Sequence, residues 1–371
     1  MNPTRRHFLQ SIGAVGTAAF VSRQPSRAQS RIPYVDGLSF MPSDMSAVRE
    51  SGLTAFILDT SAGEIVAGAE GRPRFVRSFN ASAKAITATR RRLRENPQTV
   101  LATRGSEIAD AERRGQTAVF LQFQGCEPLE GDLERIDIFY ELGLRVLQLT
   151  HHHDNPFGGG AMEASPSGLT PLGIQAVERM HTMGIIPDVS HASDRCALDV
   201  TRYSRSPAVL SHGGARALVP NARCAPDEVI RAIANTGGVM GIFMMSFWLT
   251  TDPDPTVEHL IRQIRHVVNV GGMDAVGIAN DYPITGEAHL AQLGNDNEEG
   301  VKAYHPWWQS MAERGIFGFE ALPEHVVIPE LNNVRRMERI HRALESARFE
   351  TGAIEKIMGG NWIRVLRQTL G

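Results

Sequence analysis

The chain has 371 residues, 42% of them hydrophobic, and a formal net charge of −3. That is enough apolar material for a substantial core, and the composition excludes a disordered polyampholyte. The mild acidity argues against a nucleic-acid-binding surface.

Residues 1–28 read as a separate segment. Arg5-Arg6 precede Phe8-Leu9 and an apolar, Gly/Ala-rich run from Ile12 to Val21, and Ser26-Arg27-Ala28 supplies small residues for cleavage. This is the layout of a secretory signal, and the paired arginines favour the twin-arginine route to the periplasm. The run is too short to span a bilayer, so the mature chain, starting near Gln29, is expected to carry no integral membrane segment. The segment holds four arginines and no acid, so its removal takes the formal charge from −3 to about −7.

From residue 29 onward a single domain is expected, because no Pro/Ser linker or internal repeat divides it. Eight short apolar runs read as strands: 32–35, 54–58, 117–123, 145–149, 185–189, 208–210, 239–243 and 275–278. Their Val/Ile/Leu/Phe content lacks strict alternation, which suits parallel strands covered on both faces. Helical patterns fall between them. Ile174, Val177 and Met180 share a face, with Gly184 as a C-cap; Pro226-Asp227 opens a second helix that Gly237-Gly238 ends; a third runs from about Thr256 to Val268.

Eight strands alternating with helices predict an α/β fold, a closed (β/α)8 TIM-like barrel. The polar, basic interval 62–104 reads as an insertion and the stretch from Gly300 as a helical C-terminal extension. The competing open doubly wound sheet lacks the Gly-x-Gly-x-x-Gly turn after its first strand. Cys126, Cys196 and Cys224 have no metal-knuckle spacing; one disulfide is compatible with an oxidising compartment, with no pair selected.

In such barrels the chemistry gathers where strands end. The polar residues there are Asp36, Asp59, Gln124, His151, His191, His212 and Asp281. Three strands thus deliver histidine to one end. Two or three imidazoles with a carboxylate can hold a zinc ion and leave a position for water. His181, His259, His289 and His305, alone in polar surroundings, read as structural.

Asp188-Val189-Ser190-His191, Leu210-Ser211-His212, Leu149-Thr150-His151, Gly168-Leu169-Thr170, residues 238–242 and residues 360–365 (Gly-Asn-Trp-Ile-Arg-Val) occur in an order that resembles the membrane (renal) dipeptidase family over most of residues 33–366. The resemblance implies a barrel of the metal-dependent hydrolase type that cleaves dipeptides with two zinc ions. It implies that His191 and His212 are metal ligands, that His151 contacts substrate and polarises the scissile carbonyl, and that Asp281 is catalytic beside the bridging water. Arg223 is similar to the arginine that grips the substrate carboxylate, a role suited to a planar guanidinium.

The departures are equally informative. The family's Asp-Gly-His-x-Asp is Asp36-Gly37-Leu38-Ser39-Phe40 here, so Leu38 and Phe40 replace two ligands, and Gln124 replaces the bridging glutamate as a weak, uncharged donor. Glu127 and Glu130 are not obvious substitutes, because Pro128 restricts the backbone between them. His152 and His153 extend the donor set after His151 and are candidate substrate-binding groups.

One zinc ion rather than two is therefore expected, or none if the altered site works without metal. Three function classes follow: a dipeptidase-like hydrolase acting on a small peptide or amide with a free carboxylate, a metal-independent acid-base enzyme modifying a peptide-derived secondary metabolite, or a non-catalytic small-ligand-binding protein. The stretch from Phe243 to Leu249 reads mainly as core and alternatively as an apolar subsite. Trp307 and Trp308 read as a pocket closure or an oligomer surface. The resemblance supports a homodimer, with no interface fixed by sequence.

Overall fold

The computed structural model describes residues 32–67 and 73–371, of which Ile32–Gly371 belong to one compact unit. The proposed signal segment lies outside the described residues. Among the described residues no helix is long and apolar enough to cross a membrane.

Each of the eight apolar runs overlaps a strand, the first and sixth by one residue: β1 Val35–Phe40, β2 Ala55–Asp59, β3 Thr117–Phe123, β4 Leu144–Gln148, β5 Ile186–Asp188, β6 Leu210–Gly213, β7 Met240–Ile242 and β8 Val276–Ile278. β1 to β5 lie side by side in chain order in a parallel sheet of seven strands, completed by the short strands Thr99–Leu101 beside β3 and Tyr282–Pro283 beside β1. β6, β7 and β8 form a second parallel sheet. A parallel bridge between Asp188 and Val209 links the two. The fold is α/β with a mostly parallel central sheet, and every residue of β3 is buried, as continuous apolar strands require.

The first strand corrects the sequence reading. Strand 32–35 was expected to stop before Asp36, yet β1 runs from Val35 through Asp36, Gly37 and Ser39. Asp36 is fully buried and takes two hydrogen bonds from Asn280, so its polar groups are satisfied inside the fold rather than presented at a strand end.

The helices form for the reasons their sequences give. Pro171–Met183 starts with the Thr170 hydroxyl accepting from Gly173 N at 3.0 Å and stops at Gly184, whose φ of 72° suits glycine. Asp227–Asn235 buries Val229, Ile230 and Ile233. Val257–Gly271 opens on a capping box between Thr256 and His259 and buries Leu260, Ile264 and Val267, so His259 is a structural histidine.

The interval 62–104 contributes an antiparallel hairpin, Glu64–Ala67 with Pro73–Val76, then the helix Phe79–Glu95 and the strand Thr99–Leu101. The C-terminal helix Asn361–Leu370 has a structural task. Its Trp362 is fully buried among Val35, Ile57, Phe120, Val146 and Val239, and its indole N–H donates to Ile278 O at 3.0 Å. A Cβ on Gly37 would stand 2.2 Å from that indole, and one on Gly277 would stand 2.4 Å from it. The three cysteines are free, buried thiols, so no disulfide forms among them.

Candidate functional site

Asp188, at the end of β5, organises the site from below. Its carboxylate accepts from Ser190 N and Ser211 N, both at 2.9 Å, and from Gln122 Nε2 at 2.8 Å and the Ser211 hydroxyl at 2.5 Å. These bonds tie the ends of β3, β5 and β6 together. Ser211 Oγ then lies 2.8 Å from His212 Nδ1. With the hydroxyl hydrogen on Asp188, Ser211 accepts from His212 Nδ1–H, which leaves the lone pair of His212 on Nε2.

His212 Nε2 faces His191 Nε2 at 2.8 Å. On its other side His191 presents Nδ1 to His152 Nδ1 at 3.1 Å, and its ring stacks on His151 with centroids 4.3 Å apart. His152 and His191 both hold positive φ, 63° and 61°, and so does Asp281 at 56°. Non-glycine residues rarely adopt that backbone, and its recurrence at three converging side chains is the kind of strain found at functional sites.

Arg223 reaches in from the loop after β6. Its Nη2 donates to His191 Nε2 at 3.0 Å and to His212 O at 3.2 Å, while Nε is buried without a partner. The guanidinium lies over Phe243 and Trp248, 5.3 and 5.5 Å from their ring centroids. Those rings stack at 5.6 Å and are buried, so the stretch from Phe243 to Leu249 serves as the floor under Arg223. Trp307 lies 5.8 Å from His152 and covers it, whereas Trp308 is core, packed on Phe319.

Burial sets the protonation states. It drives His151, His152, His191 and His212 well below the usual imidazole range, reinforced by neighbouring rings and by Arg223, so all four are neutral and have lone pairs to offer. Burial pulls the Arg223 guanidinium down to about 10. It pushes Asp281 up to about 7, with Arg223 opposing and Asp59 and Asp36 adding to the rise. Asp281 Oδ2 lies 4.0 Å from His212 Nε2.

The replaced positions are occupied by structure. Leu38 is fully buried, and its carbonyl accepts from Asp281 N at 3.0 Å, so it fixes the aspartate while offering no side-chain donor. Phe40 is half-buried at the end of β1. Gln124 donates its side-chain amide to Asp59 Oδ2 at 2.9 Å, so Asp59 and Gln124 engage each other. His153 departs from the expected donor set. It turns outward to Glu163, 2.9 Å away, which also pairs with Arg314 at 3.2 Å.

Glu127, set aside in sequence as a substitute ligand, lies close to Gln124 all the same, and one group, Arg77, escaped the sequence reading. Glu127 folds back over Gly125, whose Cβ would stand 1.9 Å from Glu127 Oε2, and its other oxygen accepts from Asn155 Nδ2 at 3.1 Å. Arg77, after the hairpin, acts electrostatically on Asp59, Glu127, His151 and His152. Nothing in its basic sequence neighbourhood distinguishes it from a solvated arginine.

Among the described residues, one group of three side chains could together hold a metal ion: His151, His152 and His191, whose donor atoms lie within 4.8 Å of one another. His212 adjoins it through His191. Two unprotonated Nε2 atoms at 2.8 Å repel unless a proton or a cation stands between them, and these neutral imidazoles suit a borderline divalent ion such as zinc. The donor set fits one ion. With Leu38, Phe40 and Gln124 at the positions above, it does not fit a two-metal centre.

A family model described as membrane dipeptidase (peptidase family M19) matches residues 38–299. Dipeptidase tcpJ of Claviceps purpurea is 30% identical over 274 residues, 72% of this chain and 55% of that protein. The chain spans about half the length of the curated relatives it matches. An amidohydrolase from Pseudomonas aeruginosa is 25% identical with a TM-score of 0.75, covering 91% of this chain and 97% of that one. A metallopeptidase from Rhodobacter sphaeroides, liganded with a phosphinate mimic of the dipeptide L-Ala-D-Ala, shares the fold with a TM-score of 0.70 at 17% identity, covering 91% and 99%.

Proposed function

The chain belongs to the membrane dipeptidase family, and from that footing we propose that it is a dipeptidase-like hydrolase of small peptides that uses one metal ion. The observation that carries this reading is the convergence of His191, His212, Arg223 and Asp281 within a few ångströms. The dipeptide mimic bound by the Rhodobacter relative supports the same substrate class.

In this reading His191 and His212, with His151 or His152, would hold the ion, which would supply polarisation of the carbonyl and activation of water. Arg223 leaves His191 to grip the substrate carboxylate with two parallel N–H bonds. Asp281 takes the proton of the attacking water at Oδ2, which lies 4.0 Å from His212 Nε2. His151 steadies the charge that develops on the carbonyl oxygen, and Trp307 keeps bulk water from the rings below it. Digestion of a dipeptide panel by the full chain, followed by mass spectrometry of the products, tests the reading. No released amino acid from any dipeptide would sink it, and full turnover after chelation would remove the metal.

The contact between Arg223 and His191 supports a second reading, metal-independent acid-base chemistry, because a guanidinium already occupies the ligand nitrogen. Activity indifferent to chelation would favour it.

We also propose that the strands close into an eight-stranded barrel. The Asp188–Val209 bridge on one side and the bonds from Asn280 and Asp281 to Asp36 and Leu38 on the other support closure. Export through the twin-arginine route, proposed from Arg5-Arg6 and the run after it, is tested by fractionating cells that carry an Arg5→Lys, Arg6→Lys double variant.

A further inference from the structure

A cavity of about 520 Å³ is walled by Phe75, Val76, Arg77, Pro156 and Phe157, with Glu127, Glu130 and Gly131 completing its lining. Its walls come from the segments that follow β2, β3 and β4, at the strand ends that carry His151. Arg77 lines it and makes no hydrogen bond within 3.5 Å or ion pair within 4.0 Å among the described residues. Two acids share the cavity with it, and neither pairs with it: Glu127 Oε2 is buried without a hydrogen-bond partner. Glu130 pairs with Arg135 and accepts from Phe79 N, and one oxygen of Glu127 holds Asn155. Burial raises the Glu127 carboxyl, which weakens its claim on the guanidinium.

The two arginines flank the histidines from different sides. Arg223 touches His191 and the His212 carbonyl, on the β5 and β6 side. Arg77 acts on His151 and His152, on the β4 side. A bound peptide whose carboxylate sits on Arg223 and whose scissile bond lies over the histidines would extend its amino-terminal residue toward Arg77.

We propose that the Arg77 cavity is an anion subsite that receives an acidic side chain on the amino-terminal residue of the substrate, so that the preferred peptides carry two carboxylates. The peptide's direction rests on the hydrolase reading; the anion preference itself does not. A guanidinium with no side-chain partner recognises a carboxylate by charge-assisted hydrogen bonds and discriminates against the neutral amide of the same shape.

The test compares two dipeptides that differ only in Glu or Gln at the amino-terminal position, using the full chain. Both kcat/KM and equilibrium affinity by calorimetry are measured. The wild type is expected to prefer the Glu peptide by ~10-fold or more, on the order of 1.4 kcal/mol. In Arg77→Met that ratio should fall to about unity, and Arg77→Lys should restore part of it. An affinity ratio that collapses in Arg77→Met without turnover of either peptide would uphold the subsite and refute the hydrolase reading. Turnover with no Glu preference in the wild type, or with a preference that survives Arg77→Met, would overturn the subsite and leave the hydrolase standing. Failure of both peptides to bind would overturn both.

Discussion

Asp36 accepts two hydrogen bonds from Asn280, one from the backbone amide at 2.8 Å and one from the side-chain amide. A residue of the first strand thereby fixes the turn that follows the last, and Asp281 stands on that turn with its φ of 56°. Replacing Asp36 by Ala leaves buried donors without an acceptor, which costs ~1–3 kcal/mol. The Asp36→Ala chain should unfold at lower denaturant concentration and lose turnover together, while Asp36→Asn, which keeps one acceptor, should lose less of each. Unchanged activity in Asp36→Ala would detach this bond pair from the site.

Elemental analysis should find about one zinc ion per wild-type chain and essentially none in a His191→Ala, His212→Ala double variant. Two ions per chain would mean that Gln124 and its neighbours ligate after all.

Arg223→Met should move two measurements in opposite directions. Loss of the charge-assisted pair is expected to raise KM for dipeptides by ~30-fold or more, about 2 kcal/mol. Removal of a guanidinium 3.0 Å from His191 Nε2 should tighten zinc binding. Weaker zinc binding in this variant would show that Arg223 supports the ion rather than competing with it.

Asp281→Asn separates stability from activity. Burial places the folded-state carboxyl near 7, above its unfolded value, so the folded chain holds its proton more tightly than the unfolded one. That contribution to stability is complete below pH ~4 and is lost as pH rises through ~7. In chelated protein, Asp281→Asn should therefore raise the melting temperature at pH 8 relative to pH 5, compared with wild type. It should also lower kcat by ~10²-fold or more if Asp281 is the base. A variant with the wild-type pH slope would contradict the burial argument, and one with wild-type kcat would remove Asp281 from the proton path.

Much of this arrangement was legible in the amino-acid order. Apolar runs buried on both faces announce themselves by composition, which is why β3 spans the residues expected of it. β1 was misplaced because Asp36 and Ser39 interrupt its pattern, and only their partners Asn280 and Tyr282, some two hundred and forty residues away, make them tolerable inside. His191, His212 and Asp281 were readable because each stands two or three residues after an apolar run. His153 was overcounted because sequence adjacency to His152 says nothing of direction, and the left-handed turn at His152 sends the next ring to Glu163. Arg77 was missed because its significance lies in an unpaired position beside loops from other strands.

Trp362 gives the molecule an order of assembly. The indole that fills the space among β1, β2, β3, β4 and β7 arrives more than three hundred residues after Gly37, the glycine that leaves room for it. Contacts of such separation form late, because the intervening chain must first surrender its freedom. Until residue 362 is available the space among these strands lacks its largest side chain, and the unfinished chain is expected to remain a client of chaperones. Loss of residues 361–370 should therefore yield an aggregating chain rather than a folded one.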